Sequence, residues 1–190
     1  MPELNNVFRN QLLCVQTCVE DLVDVKLGKV RIAPFSEAQR EYHRHRKSIF
    51  GVDGFQGWFR RGMLSLMVLV HECIHPAQAG QGTVYYSRNP KFSRYSESDM
   101  MHMLAHEVVH IAHQRLAKKV HFDLRCPREV QEGFADYVST RVMREMGLDP
   151  FSEVDARGYL AEFRRVLLEK GFADSVAGAK AYALSYDQQA

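Results

Sequence analysis

The chain has 190 residues, of which 46% are hydrophobic and 25% charged, and a formal net charge of +2. Those values fit one folded domain with a real core and exclude a molecule that binds polyanions through bulk charge. No apolar run approaches the length of a membrane span, so no membrane partner is expected. Met1-Pro2-Glu3-Leu4-Asn5-Asn6 has neither the basic start nor the apolar stretch of a secretory signal, so a cytoplasmic location is expected. Cys14, Cys18, Cys73 and Cys126 make no C-x-x-C pair, and free thiols in a reducing compartment are expected. Cys14 and Cys18, four apart on a predicted helix, read as small core hydrophobes.

Residues 5–27 form an amphipathic helix in which Phe8, Leu12, Val15, Val19 and Leu22 recur at helical spacing and Gly28 provides the stop. Lys29-Val30-Arg31-Ile32-Ala33 reads as a short strand ended by Pro34. Ser36 with Gln39 resembles a capping box that opens a helix to Ile49. That helix carries the basic run Arg40, His43, Arg44, His45, Arg46 and Lys47. A solvated face is the ordinary meaning of such a run, and an anionic partner such as nucleic acid is the other. Gly51 to Arg61 reads as a turn and strand, and the apolar run 63–70 as a buried strand. Thr83-Val84-Tyr85-Tyr86-Ser87-Arg88 is a further strand, ended by Asn89-Pro90.

His-Glu-x-x-His occurs twice, at 71–75 and at 106–110. Two histidines at i and i+4 lie on one face of a helix and can share one metal ion. The Glu between them reaches a neighbouring part of that face, where it can take a proton from metal-bound water. Context separates the two matches. Pro76 follows His75 and disfavours a helical conformation there, so 71–75 reads as a strand end entering a loop; His71 and His75 read as structural, with a place lining the cleft or on a secondary metal as the alternative. From Ser98 to Arg125 there is no Gly or Pro. Ser96 or Ser98 can cap that helix, with Glu97 and Asp99 favourable near its first turn. His106 and His110 are therefore the expected metal ligands and Glu107 the expected base. His102 and His113 extend the run. His113 stands about 10 Å along the helix from His106, too far to share one ion, and both read as surface or cleft-lining residues.

A third ligand is expected from the next helix, about 127–146, with Pro127 at its first position and Gly147 at its end. Val130, Phe134, Tyr137, Val138 and Val142 make its apolar stripe. Glu132 is favoured, because Asp136 lies four residues on and can orient a ligand histidine. Glu129, in the first turn, stays open as the alternative. Two more helices are expected at 152–170 and 175–184, with Gly171 between them.

His106-Glu107-Val108-Val109-His110 with distal Glu132-Gly133-Phe134-Ala135-Asp136 resembles the gluzincin metallopeptidases, and over about residues 83–145 the small single-domain minigluzincins. The resemblance implies a zincin-like α+β fold: a small twisted mixed sheet, an N-terminal helix, a metal helix, a glutamate helix and C-terminal helices. It implies a single metallopeptidase domain over 1–190, with 148–190 as a helical appendage. It also implies one zinc per chain and a peptide or protein substrate bound extended along the strand at 83–88. In the aminopeptidase pattern 18 residues separate the second His from the Glu. Here 21 (111–131) precede Glu132 and 18 (111–128) precede Glu129, which keeps Glu129 in play.

The expected chemistry is hydrolysis of a peptide bond, with Glu107 as general base and then proton donor to the leaving amine. Tyr137, His121, Tyr182 and Tyr186 are candidates for the oxyanion donor. Two other functions use the same residues. One is a latent or regulatory zinc protein whose cleft is filled by residues 171–190. The other is a DNA-associated protease that uses the 40–47 patch.

Overall fold

Five α-helices, one 3-10 helix and three strands make up the described part of the chain, a mixed α+β architecture. The structure is a computed structural model and describes residues 4–37, 73, 75–80, 82–118, 126–150 and 158–186. Most of the helix expected at 36–49, the strands expected at 51–61 and 63–70, the 40–47 patch, His71, Glu72 and His121 lie outside the described residues, as does 187–190 of the tail.

Helix α1 (Leu4–Val23) buries Phe8, Val15 and Val19, as its period requires. It stops short of the expected residue 27. Asp24 takes a left-handed φ of +50°, and Val25 N–H reaches back to the Glu20 carbonyl at 3.1 Å, which closes the last turn without glycine. Cys14 is exposed. Its place on the polar side of α1 overrules the core role expected from its residue type.

Strands β1 (Arg31–Pro34), β2 (Ala77–Gly80) and β3 (Thr83–Tyr86) lie in the order β1-β3-β2, with β1 parallel and β2 antiparallel to β3. β3 is thus the central strand, and both its edges are already paired. Among the described strands, 83–88, the one expected to guide an extended substrate, is therefore not at an edge, whereas β2 is. Gly82, with φ +78°, turns the chain between β2 and β3, a conformation that favours glycine. Ser87 N–H donates to the Pro76 carbonyl at 2.8 Å. Antiparallel pairs alternate between hydrogen-bonded and open, so Ala77 and Ala79 direct their own N–H and C=O groups away from β3.

A 3-10 helix at Pro90–Arg94 leads into α2 (Glu97–Ala117). Ser96 caps α2 reciprocally with Asp99: Asp99 N–H donates to Ser96 Oγ at 3.1 Å and Ser96 N–H to Asp99 Oδ2 at 3.0 Å. The helix ends at Lys118, which adopts φ +52°, well before the Arg125 limit that Gly and Pro alone would allow. Helix α3 (Arg128–Glu145) begins one residue later than expected, with Pro127 as its cap. Helices α4 (Tyr159–Glu169) and α5 (Val176–Ser185) follow.

α2 packs between α1 and α3, and β2 lies against α2. Met100, Leu104, Val108 and Ile111 of α2 join Val130, Phe134, Val138 and Val142 of α3 in one buried cluster. Phe163 and Leu167 of α4 and Ala179, Tyr182 and Ala183 of α5 belong to that same cluster. The C-terminal helices therefore share the core instead of standing apart from it. Each large aliphatic or aromatic side chain buried there contributes about 1.5–3 kcal/mol. No helix among the described residues is long and apolar enough to cross a membrane.

Candidate metal centre

His106 and His110 stand one turn apart on α2 and turn their rings toward α3. Their Nε2 atoms are 3.0 Å apart. Glu132, in the second turn of α3, places Oε2 3.3 Å from His106 Nε2 and 3.8 Å from His110 Nε2. A tetrahedral zinc with bonds of about 2.0–2.1 Å holds its ligand atoms about 3.3–3.4 Å apart. The three donors form a triangle of that size. Among the described residues they are the group of three His, Cys, Asp or Glu side chains close enough to hold one ion.

Behind His106, Nδ1 lies 2.8 Å from Asp136 Oδ1. A carboxylate only accepts, so Nδ1 carries the proton and donates it. That tautomer leaves the Nε2 lone pair facing the centre. The charges agree with the geometry. Burial disfavours a charged His106 imidazole, yet Asp136 and Glu132, with Glu107, push its pKa up to about 10. Burial likewise raises the Glu132 carboxyl, but the two imidazoles hold it well below the usual carboxylate range. The site attracts positive charge, which a divalent cation supplies as well as a proton does.

Glu107 leaves the same helix toward the sheet, and its Oε2 accepts from Ala79 N–H at 2.5 Å. This is one of the outward-facing amides of β2. The strand beside the metal helix thus grips the expected base directly. The sequence carries no signal for this contact, because any non-proline residue at position 79 offers the same amide.

Glu129 is exposed in the first turn of α3 and lies outside the triangle. The 18-residue separation therefore does not select the donor, and position along α3 does. His102 and His113 are fully buried, which corrects the reading of both as surface or cleft-lining residues. His113 packs edge-on against Phe134, centroids 5.3 Å apart. His102 Nε2 lies 2.9 Å from Ser139 Oγ, and that hydroxyl donates to the Asp136 carbonyl at 3.2 Å. Burial, followed by the charge of His106, pulls the His102 imidazole down to about 4, so it is neutral at ordinary pH.

The tyrosine candidates are engaged elsewhere. Tyr137 hydroxyl donates to Asp174 Oδ1 at 2.7 Å, and the hydroxyls of Tyr182 and Tyr186 bond each other at 3.1 Å. Burial and Asp174 raise the Tyr137 phenol above its ordinary pKa. Of the tail, α5 packs on α3, α1 and α4, and Lys180 Nζ donates to the Val23 carbonyl at 2.7 Å. His75 stands outside the triangle. Cys73 is helical, contrary to the strand end expected there. The steric effect of Pro76 reaches only the residue before it and leaves Cys73 unconstrained.

No protein-family model, curated protein or solved structure matches this chain.

Proposed function

We propose that this chain is a zinc-dependent peptidase of the gluzincin type, with a zincin-like fold and one zinc per chain held by His106, His110 and Glu132. The observation that carries it is the donor triangle, backed by Asp136 and flanked by a carboxylate that is not part of it. Two imidazoles and one carboxylate leave a tetrahedral ion one open position, the mark of a catalytic rather than a structural site. Zinc bound there supplies Lewis acidity toward a carbonyl and a water.

The rest of the chemistry belongs to the chain's own side chains. Asp136 fixes the ring of His106 and Glu132 closes the donor set from the facing helix. Glu107 holds its Oε2 on Ala79 N–H, which leaves Oε1 to take the proton of the attacking water and return it to the leaving amine. Ala77 N–H and C=O and Ala79 C=O face outward on β2. An extended peptide can pair with them by strand addition, which moves the expected substrate track from 83–88 to 77–80.

The test is cleavage of an unfolded protein by the zinc-loaded chain, with new termini identified by mass spectrometry. Glu107→Gln should keep its zinc and fold and lose turnover by at least about 10²-fold, because an amide cannot accept the proton. A variant that binds zinc and turns over normally would remove Glu107 from the mechanism. A wild-type chain that holds zinc and cleaves no peptide bond would overturn the peptidase assignment.

A further inference from the structure

His102 has no place in the chemistry above, yet it is buried on the line between the metal helix and the glutamate helix. α2 and α3 run antiparallel and meet in three polar rungs. His110 faces Glu132, His106 faces Asp136, and His102 faces Ser139. Each step back by four residues on α2 is matched by three or four forward on α3. The Ser139 hydroxyl has one proton, and it goes to the Asp136 carbonyl. Ser139 Oγ therefore accepts from His102, so His102 Nε2 carries the hydrogen and donates.

A buried imidazole is a costly way to fill space. Apolar side chains of similar size in place of both partners of a buried polar contact are often neutral or stabilising. What a directed bond adds is register. Apolar helix faces pack acceptably at more than one offset, and a one-residue slide shifts a helix by about 1.5 Å. Metal–ligand distances tolerate only about 0.2 Å. We propose that His102 is a positioning residue of the metal centre: its bond to Ser139 fixes α3 against α2 so that Glu132 and Asp136 meet His106 and His110 in register. The inference rests on the metal-site reading but not on peptidase activity.

The experiment measures zinc affinity by chelator competition and the visible spectrum of the cobalt-substituted chain, beside the melting temperature of the chelator-treated protein. His102→Leu fills the space without the bond and should bind zinc at least about tenfold more weakly, the lower range for loss of a supporting contact around a metal, while melting within a few degrees of wild type. His102→Gln places an amide N–H near the original Nε2 and should recover most of the affinity and the wild-type cobalt spectrum. Ser139→Ala removes the same bond from the other helix and should match His102→Leu. Should His102→Leu fail to fold, His102→Gln and Ser139→Ala decide the matter between them. Wild-type zinc affinity in His102→Leu or Ser139→Ala overturns the proposal, as does a His102→Gln no better than His102→Leu. A wild-type chain that binds no zinc removes the metal reading and this proposal together.

Discussion

Helix α3 presents two unlike faces. Toward α2 it offers Glu132, Asp136 and Ser139, each bonded or ion-paired to a histidine. Toward α4 and α5, starting one residue or about 100° round the helix, it offers Gly133 and Tyr137. Phe163 packs there between Phe134, Tyr137 and Tyr182. The first face is made of short directed contacts with little tolerance. The second is area and shape, where an ideal Cβ on Gly133 would stand 2.5 Å from Phe163 Cβ. The proposed metal site sits on the face that fixes position, and the second face contributes packing.

The sharpest way to break this contrast is on the polar face. Glu132→Ala should weaken zinc binding by about 100-fold or more, near the upper range for disturbing a metal site, whereas Glu129→Ala should leave it unchanged. Reversed results in a metal titration would exchange the two roles. Next comes the strand contact. Ala79→Pro deletes the N–H that holds Glu107, and because that amide points away from β3, no ladder bond is lost. Turnover should fall by about tenfold, within the energy of one hydrogen bond to a charged group, with zinc affinity kept. Ala77→Pro sits in the same kind of position without touching Glu107 and serves as the control. Equal turnover in the two variants would separate Glu107 from the strand.

On the apolar face, Gly133→Ala should cost about 1–3 kcal/mol of stability, the usual scale for overpacking, measured by denaturant unfolding. Zinc affinity should change less than tenfold, because the rungs to α2 hold α3 while α4 yields. A larger loss of zinc than of stability would show that the two faces are not separable. The smallest effect belongs to Tyr137→Phe. Removing the hydroxyl bonded to Asp174 should cost about 1 kcal/mol and leave turnover intact. A fall in turnover without a fall in stability would return Tyr137 to the oxyanion.

The polar face was largely legible in the sequence because its signals are local. The i, i+4 histidines and the Glu132–Asp136 spacing each lie within a single helix. What was not legible depends on how distant segments meet. Ala79 holds Glu107 through a backbone amide that its residue type does not mark. The order of the strands follows from pairing between distant segments, which among the described strands puts β3 in the middle and β2 at an edge. Lys118 ends α2 in a conformation its side chain does not announce. His102 and His113 looked superfluous once the ion had its ligands, and superfluous polar residues are usually placed at the surface. Their burial follows from the breadth of the α2–α3 contact, which no spacing within α2 expresses.

The most direct test of the metal centre is X-ray absorption at the zinc edge on the purified wild-type chain, together with its metal content. One zinc per chain is predicted, surrounded only by nitrogen and oxygen at about 2.0–2.2 Å, with two imidazoles in the outer-shell scattering. A chain that takes up no zinc, or a zinc with sulfur neighbours at about 2.3 Å, would contradict a centre built from His106, His110 and Glu132.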